Sequence, residues 1–265
     1  MTESTDNEAS LLEEWSSLEA ARSRGVLVIV TSTQGHCPQV AGAKMLVRED
    51  GSFRGTVGGG RLEHEAIEFA RSLLAEPAQP QQRTWHLLHD LGMCCGGQMN
   101  LYFEPNRLRP RLTIFGAGHV AMPTARLARQ IGFHVTVVDD REDWNTSVRF
   151  PLADERKLTA YTDYLASQPM DPGEYALVVT QGHDHDEEIV RELSRVPLAY
   201  LGMIGSTRKV ERTRRRLPPS EEWSVPLHAP VGLSIGAETP EEIAVSIAAE
   251  LIQVRRSNPS SETKE

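Results

Sequence analysis

Three scarcities narrow what this 265-residue chain can be: little cysteine, no surplus of positive charge, and no long apolar run. Three cysteines, two of them adjacent (Cys94 and Cys95), cannot build a disulfide framework, and usage this sparse fits a reducing compartment. They also lack the paired spacing of a structural zinc site, so no metal site is expected. With 28 Lys+Arg against 37 Asp+Glu, the formal charge is -9. Nucleic acids and anionic membranes need a broad positive field, which such a balance does not supply. No apolar stretch approaches the thickness of a bilayer, and Met1 to Ser10 is too acidic and polar for a signal peptide. The expectation is a soluble cytoplasmic protein with neither nucleic acid nor membrane as partner.

What is present divides at Pro105–Pro110, where two prolines bracket polar residues. Before it, residues 1–106 read as a small α+β domain. Leu11, Leu12, Trp15 and Leu18 recur at helical spacing, Val26 to Val30 is an apolar β-branched run, and Asp50-Gly51 suits a tight hairpin. A helix over Arg61–Leu74 and strands over Arg83–Leu88 and Gln98–Glu104 complete it. After the boundary, residues 110–255 alternate short apolar runs with helical stretches. The runs are Leu112–Phe115, Val135–Val138, Tyr175–Thr180 and Leu198–Leu201. That alternation predicts a Rossmann-like parallel sheet, closed by a helix over Pro240–Val254 that Thr239 can cap. Residues 256–265 read as a polar disordered tail.

The strand Leu112–Phe115 runs into Gly116-Ala117-Gly118-His119-Val120-Ala121, and a second strand ends in Asp139-Asp140. In a dinucleotide fold the first glycine permits the turn and the second lets a diphosphate approach helix amides. The acid about 20 residues on meets ribose hydroxyls. Gly116, Gly118, His119 and Asp139 are therefore candidate ligand residues, although the same turn also helps any strand–helix–strand unit close. An acid rather than a basic residue disfavours a 2′-phosphate.

Further clusters carry chemistry. Gly58-Gly59-Gly60 opens the helix at Arg61, where bare amides can wrap an anion or simply make a demanding turn; Glu63 lies in that first turn. Cys94-Cys95-Gly96-Gly97 offers thiols beside glycine amides, as a sulfur carrier, a soft ligand or two small buried hydrophobes. Cys37 is a third thiol that could join them in space. Gly182-His183-Asp184-His185-Asp186 falls at a strand's carboxyl end and could hold a metal, move protons or cap a helix. Arg208, Lys209, Arg212, Arg214, Arg215 and Arg216 form a basic run, either a solvated face or a dock for an acidic partner.

Taken in order, these motifs resemble the xanthine dehydrogenase accessory protein (XdhC/CoxI) family. The resemblance rests on PQVAGAKMLV (38–47), GTVGGGRLE (55–63), CGG (95–97), FGAGHV with VTVVDDREDW (115–120 and 135–144), GMIGSTRK (202–209) and VGLSIGAETPEEIAVSIAAEL (231–251). Gln39, at a position often arginine in the family, and the thiol at Cys37 depart from its pattern. The resemblance implies a chaperone that binds molybdenum cofactor, supports its sulfuration by a cysteine desulfurase, and inserts it into a xanthine dehydrogenase-type molybdenum hydroxylase. It suits a homodimer without catalysis of its own. It makes Cys95, then Cys94, the thiols near molybdenum, with Gly58, Gly59, Gly60, Glu63, Gly116, Gly118, His119, Asp139 and His183 around the cofactor. An intact ribose signature points to the cytosine dinucleotide form of molybdopterin, held through Asp139. The alternative is an NAD-dependent oxidoreductase binding a nicotinamide dinucleotide, with His183, His185 or His119 as acid–base.

Overall fold

The computed structural model describes residues 2–18, 21–74, 79–93, 96–217, 219 and 222–257, apart from the side chains of residues 2–9 and of His183. Cys94, Cys95 and the tail from 258 onward lie outside the described residues. The chain divides into two compact units, Met1–Leu108 and Arg109–Glu265.

The first unit runs α1 (Thr2–Ser17), β1 (Gly25–Gln34), β2 (Lys44–Arg48), β3 (Phe53–Gly55), α2 (Gly60–Leu74), β4 (Gln81–His86) and β5 (Gln98–Pro105). Its strands pair antiparallel in the order β3-β2-β1-β5-β4. The two-residue period of β1 sorts its side chains between two layers. Val26, Val28 and Val30 pack with Leu62, Ala66 and Ala70 of α2, while Leu27 clusters with Leu11 and Leu18. The β2–β3 hairpin turns at Asp50-Gly51, where Asp50 Oδ1 accepts the Ser52 amide at 2.8 Å and Gly51 takes φ +83°.

The second unit runs β6 (Arg111–Phe115), α3 (Ala121–Gln130), β7 (His134–Val138), β8 (Glu155–Lys157), α4 (Tyr161–Ser167) and β9 (Tyr175–Val178). It continues α5 (His183–Leu193), β10 (Tyr200–Met203), α6 (Thr207–Arg214), β11 (Leu227–His228) and α7 (Pro240–Ser257). All neighbours in its six-stranded sheet are parallel, in the order β11-β10-β9-β6-β7-β8. This is the predicted Rossmann-like architecture, with β8 and β11 as short additions that the sequence pattern did not reveal. Parallel strands need helices over both faces. Leu112, Ile114, Val135 and Val137 pack with Ala121, Ala125, Ile247 and Leu251 from α3 and α7; Phe115, Val138 and Val178 pack with residues of α4, α5 and α6. Helix α7 begins on a capping box. Thr239 Oγ1 accepts the Glu242 amide at 3.3 Å, and Glu242 Oε2 accepts the Glu238 and Thr239 amides.

Candidate functional site

The strand order of the second unit reverses between β6 and β9, and such a reversal opens a crevice at the carboxyl ends of the two strands. The turns leaving those ends carry Gly116–Gly118 and Val179–Gly182. Gly116 has φ +112°, and a Cβ there would lie 2.5 Å from the Val179 carbonyl oxygen, so only glycine lets the turns meet. Gly118 is different: its backbone needs no left-handed φ, and a Cβ would meet nothing within 4 Å. Ala121, the first residue of α3, is fully buried. His119 is exposed, its ring edge-on to Trp144 at 5.2 Å.

Asp139 is 0 % exposed and faces inward. Its Oδ2 accepts the Ala117 amide at 2.7 Å, Arg141 Nη2 at 2.6 Å and the Tyr161 hydroxyl at 3.3 Å. Its Oδ1 accepts the Arg141 amide at 3.0 Å and Arg141 Nε at 2.8 Å. Burial pushes this carboxyl up in pKa, but the bonds from the Arg141 side chain and from the Arg141 and Ala117 amides outweigh it and hold the group below the usual range. The same burial, with the charge of Asp139, raises the Tyr161 phenol far above its ordinary value. The carboxylate expected to meet ribose is thus the buried keystone between the glycine turn, the end of β7 and α4.

Beside it lies a cationic cluster whose Arg141 and Trp144 fall inside the VTVVDDREDW motif, although neither was singled out as a ligand residue, and whose Arg149 falls outside it. Arg141 Nη1 donates to Gln181 Oε1 at 2.6 Å, and Arg149 Nη2 donates to the Ala117 carbonyl at 3.3 Å. Both guanidiniums sit on the Trp144 ring, at 4.9 and 4.6 Å from its centroid. Arg149 Nε is buried without a hydrogen-bond partner. Val120, at the N-cap of α3, makes no side-chain cap bond. Two cations, an orphaned donor and an uncapped helix start together suit an anion. An arginine two places after a strand-ending acid was the available sequence signal.

The histidine–aspartate run, His183–Asp186, is the first turn of α5. Asp186 is fully buried and accepts Thr180 Oγ1 at 2.6 Å and Lys209 Nζ at 2.5 Å, so it ties α5 to the turn after β9 and to α6. The His185 ring meets Tyr161 edge-on at 5.5 Å. Among the described residues no group of three or more His, Cys, Asp or Glu is placed to hold a metal. The side chain of His183 lies outside the described residues. No described helix is long and apolar enough to cross a membrane.

In the first unit Gly58, Gly59 and Gly60 take φ +138°, +66° and +58° in succession. A Cβ at Gly58 would press on Pro38 at 2.7 Å, whereas Gly59 meets nothing within 4 Å. Glu63 Oε2 accepts Thr56 Oγ1 at 2.5 Å, and that hydroxyl oxygen accepts the Gly58 amide at 3.2 Å, so the acid braces the turn. Gly97 packs against the loop of the third thiol: a Cβ there would lie 2.5 Å from His36 O and 2.6 Å from both Cys37 Sγ and Gln34 O. The Cys37 thiol donates to the Gln34 and Gln98 carbonyls at 3.3 and 3.4 Å. Gln34, His86, His89, Gln98 and the glycines 96–97 border an open cavity of about 760 Å³. Cys94 and Cys95 themselves are outside the described residues.

The XdhC Rossmann domain family model matches residues 112–251, and the XdhC and CoxI family model matches residues 18–85. The Escherichia coli protein YqeB, described as uncharacterized, is 34% identical over 94% of this chain and 47% of its own. A Bacillus subtilis protein, described as a probable xanthine dehydrogenase component, is 40% identical over 68% of this chain and 53% of its own. The chain thus spans about half the length of these two relatives. The E. coli molybdenum cofactor insertion chaperone PaoD is 24% identical over 87% of this chain and 83% of its own. A crystal structure described as a xanthine dehydrogenase from Bacillus halodurans shares the fold, with TM-score 0.55 and 24% identity over 95% of this chain and 97% of that one.

Proposed function

This chain belongs to the XdhC and CoxI family, and on that premise we propose that it is a molybdenum cofactor accessory protein. It binds the cofactor, shields it and delivers it to a xanthine dehydrogenase-type molybdenum hydroxylase. The relative named as a cofactor insertion chaperone supports this reading. The observation that carries it is Gly118, whose missing side chain answers no need of backbone or packing and leaves the start of α3 open. The cargo is an anionic pterin with a terminal phosphate and a molybdenum held by sulfur. The Gly118 turn, Arg141 and Arg149 supply what its phosphate needs: bare amides, a helix start and two cations beside an indole.

Sulfuration is the finer part of the proposal. Cys95, with Cys94 second, accepts sulfur from a cysteine desulfurase. The donor's S–S bond breaks as the Cys95 thiolate attacks its terminal sulfur, and the donor cysteine leaves as thiolate. The protein acts in the cytoplasm as a homodimer, and Gly58–Gly60 are a further set of bare amides within the first unit that suits an anion. An NAD-dependent oxidoreductase would read its dinucleotide's ribose at Asp139, and that carboxylate is already fully bonded.

The test is anaerobic incubation of the purified chain with molybdenum cofactor, followed by gel filtration with molybdenum and pterin quantified in the protein peak. Co-elution, and activation of an apo-hydroxylase that the free cofactor does not match, is the expected result. Loss of both on gel filtration would overturn the reading. Mass spectrometry after desulfurase treatment would show one added sulfur atom on Cys95, absent from Cys95→Ser.

A further inference from the structure

We propose that Arg141 is a specificity-determining residue that closes the ribose subsite of the Rossmann crevice, so that the site takes a phosphate ester without a nucleoside. An ionised carboxylate offers about four lone-pair positions. In Asp139 five donors already share them: the Ala117 amide, the Tyr161 hydroxyl, and the amide, Nε and Nη2 of Arg141. Three of the five come from one residue. Its two side-chain bonds are charge-assisted and bidentate, the most directional arrangement such a pair can adopt. The carboxylate has no surface left for a ribose diol, being 0 % exposed. For ribose to bind there, Arg141 must leave, stripping a buried carboxylate of its counter-charge.

The rest of the guanidinium explains what the site gains. Nη1 is held by Gln181 from the turn after β9, and the plane lies on Trp144, whose ring also carries Arg149. The group that bars ribose therefore stands as a cation beside the glycine turn, where a phosphate would sit. Of the cofactor's two forms, the crevice accepts the one ending in a phosphate monoester; the cytosine dinucleotide form, expected from the sequence to be held through Asp139, finds no ribose acceptor there. The choice of cofactor form rests on the function proposed above, but the closure of the subsite does not, and it is tested without the cofactor.

The probe is a matched pair: cytidine diphosphate and its analogue lacking both ribose hydroxyls, titrated calorimetrically into the full-length chain. The wild type is expected to bind the two equally. Arg141→Ala is expected to prefer cytidine diphosphate by about tenfold or more, the order of one charge-assisted hydrogen bond to a freed carboxylate. Adding Asp139→Asn should return the ratio to one. Arg141→Lys, which keeps the charge without the bidentate fork, serves if the alanine variant does not fold by circular dichroism. Three results would overturn the proposal: a wild type that already prefers the ribose-bearing ligand tenfold, such a preference lost through Asp140→Asn, or a folded Arg141 variant with no preference, whether or not it binds either ligand. None of these bears on whether the chain retains molybdenum cofactor, so the two readings fail separately.

Discussion

Replacing Asp139 with alanine removes the one acceptor shared by the glycine turn, Arg141 and Tyr161. Breaking a buried ion pair from one side costs about 3–5 kcal/mol, because the partner keeps its charge without compensation. Arg141 is 23% exposed at its side chain, which lets water recover part of that loss. The Ala117 amide, on a residue with no exposed surface, is orphaned as well, at about 1–3 kcal/mol. The terms overlap, and ~4 kcal/mol is the working figure for Asp139→Ala. Set against a whole-domain stability of about 5–15 kcal/mol, it would leave the Rossmann unit marginal. Amide hydrogen exchange followed by mass spectrometry reads the effect by segment. Protection over β6 and β7 should fall about a thousandfold, since each 1.4 kcal/mol is a factor of ten in the opening constant. A change below ~1 kcal/mol, typical of a solvated ion pair, would refute the keystone assignment.

The two glycines of the same turn should part company. Gly116→Ala combines a left-handed φ with a Cβ 2.5 Å from a carbonyl oxygen and should cost ~3 kcal/mol in urea denaturation. Gly118→Ala should stay within about 0.5 kcal/mol of wild type while weakening the binding of inorganic pyrophosphate. Gly97→Ala places a methyl among two carbonyl oxygens and the Cys37 sulfur; a loss of about 1–3 kcal/mol and faster maleimide labelling of Cys37 are expected. Acid should unfold the Rossmann unit through Asp139, Asp154 and Glu250. Burial raises all three, but hydrogen bonds and nearby positive charges win and leave each below its ordinary pKa. Such groups give their full stabilisation above the unfolded carboxylate pKa, roughly pH 4, and lose it as the pH falls through their lowered folded values. An acid titration by circular dichroism should show that fall; stability rising below pH 4 would contradict the signs.

The parallel sheet was legible because strand–helix alternation and a strand-to-helix glycine turn are local signals. Strands β8 and β11, of three and two residues, are too short to show a period, and only their pairing with β7 and β10 defines them. Asp186, of a residue type that caps helices, does not cap α5: the helix starts three residues earlier, at His183 behind an extended Gly182, and Asp186 is instead bonded to Lys209 and Thr180. Asp139 shows the deeper limit. Spacing placed it correctly at the end of β7, but which donors reach a carboxylate first is decided by tertiary contacts. Arg141, two residues on, and Tyr161, from α4, occupy it before any ligand could.

The glycines themselves separate folding from function more sharply than the motifs do. A glycine is required by the fold where φ lies in the left-handed region or where a Cβ would strike a neighbour. Gly58, Gly97, Gly116 and Gly232 all meet one or both conditions, the last with a Cβ 2.2 Å from Ser246 Oγ. Gly59 and Gly60 have room above them but still need their positive φ. Among the 20 glycines, only Gly96 and Gly118 have neither a left-handed φ nor any described atom within 4 Å of a would-be Cβ. An alanine at either site would meet none of the described residues and would lower the entropy of the unfolded chain. One of the two follows the vicinal cysteines and the other sits in the Rossmann turn, so the positions where glycine has no structural reason fall in the two loops offered for binding. Under the function proposed above, close approach by a ligand supplies that reason.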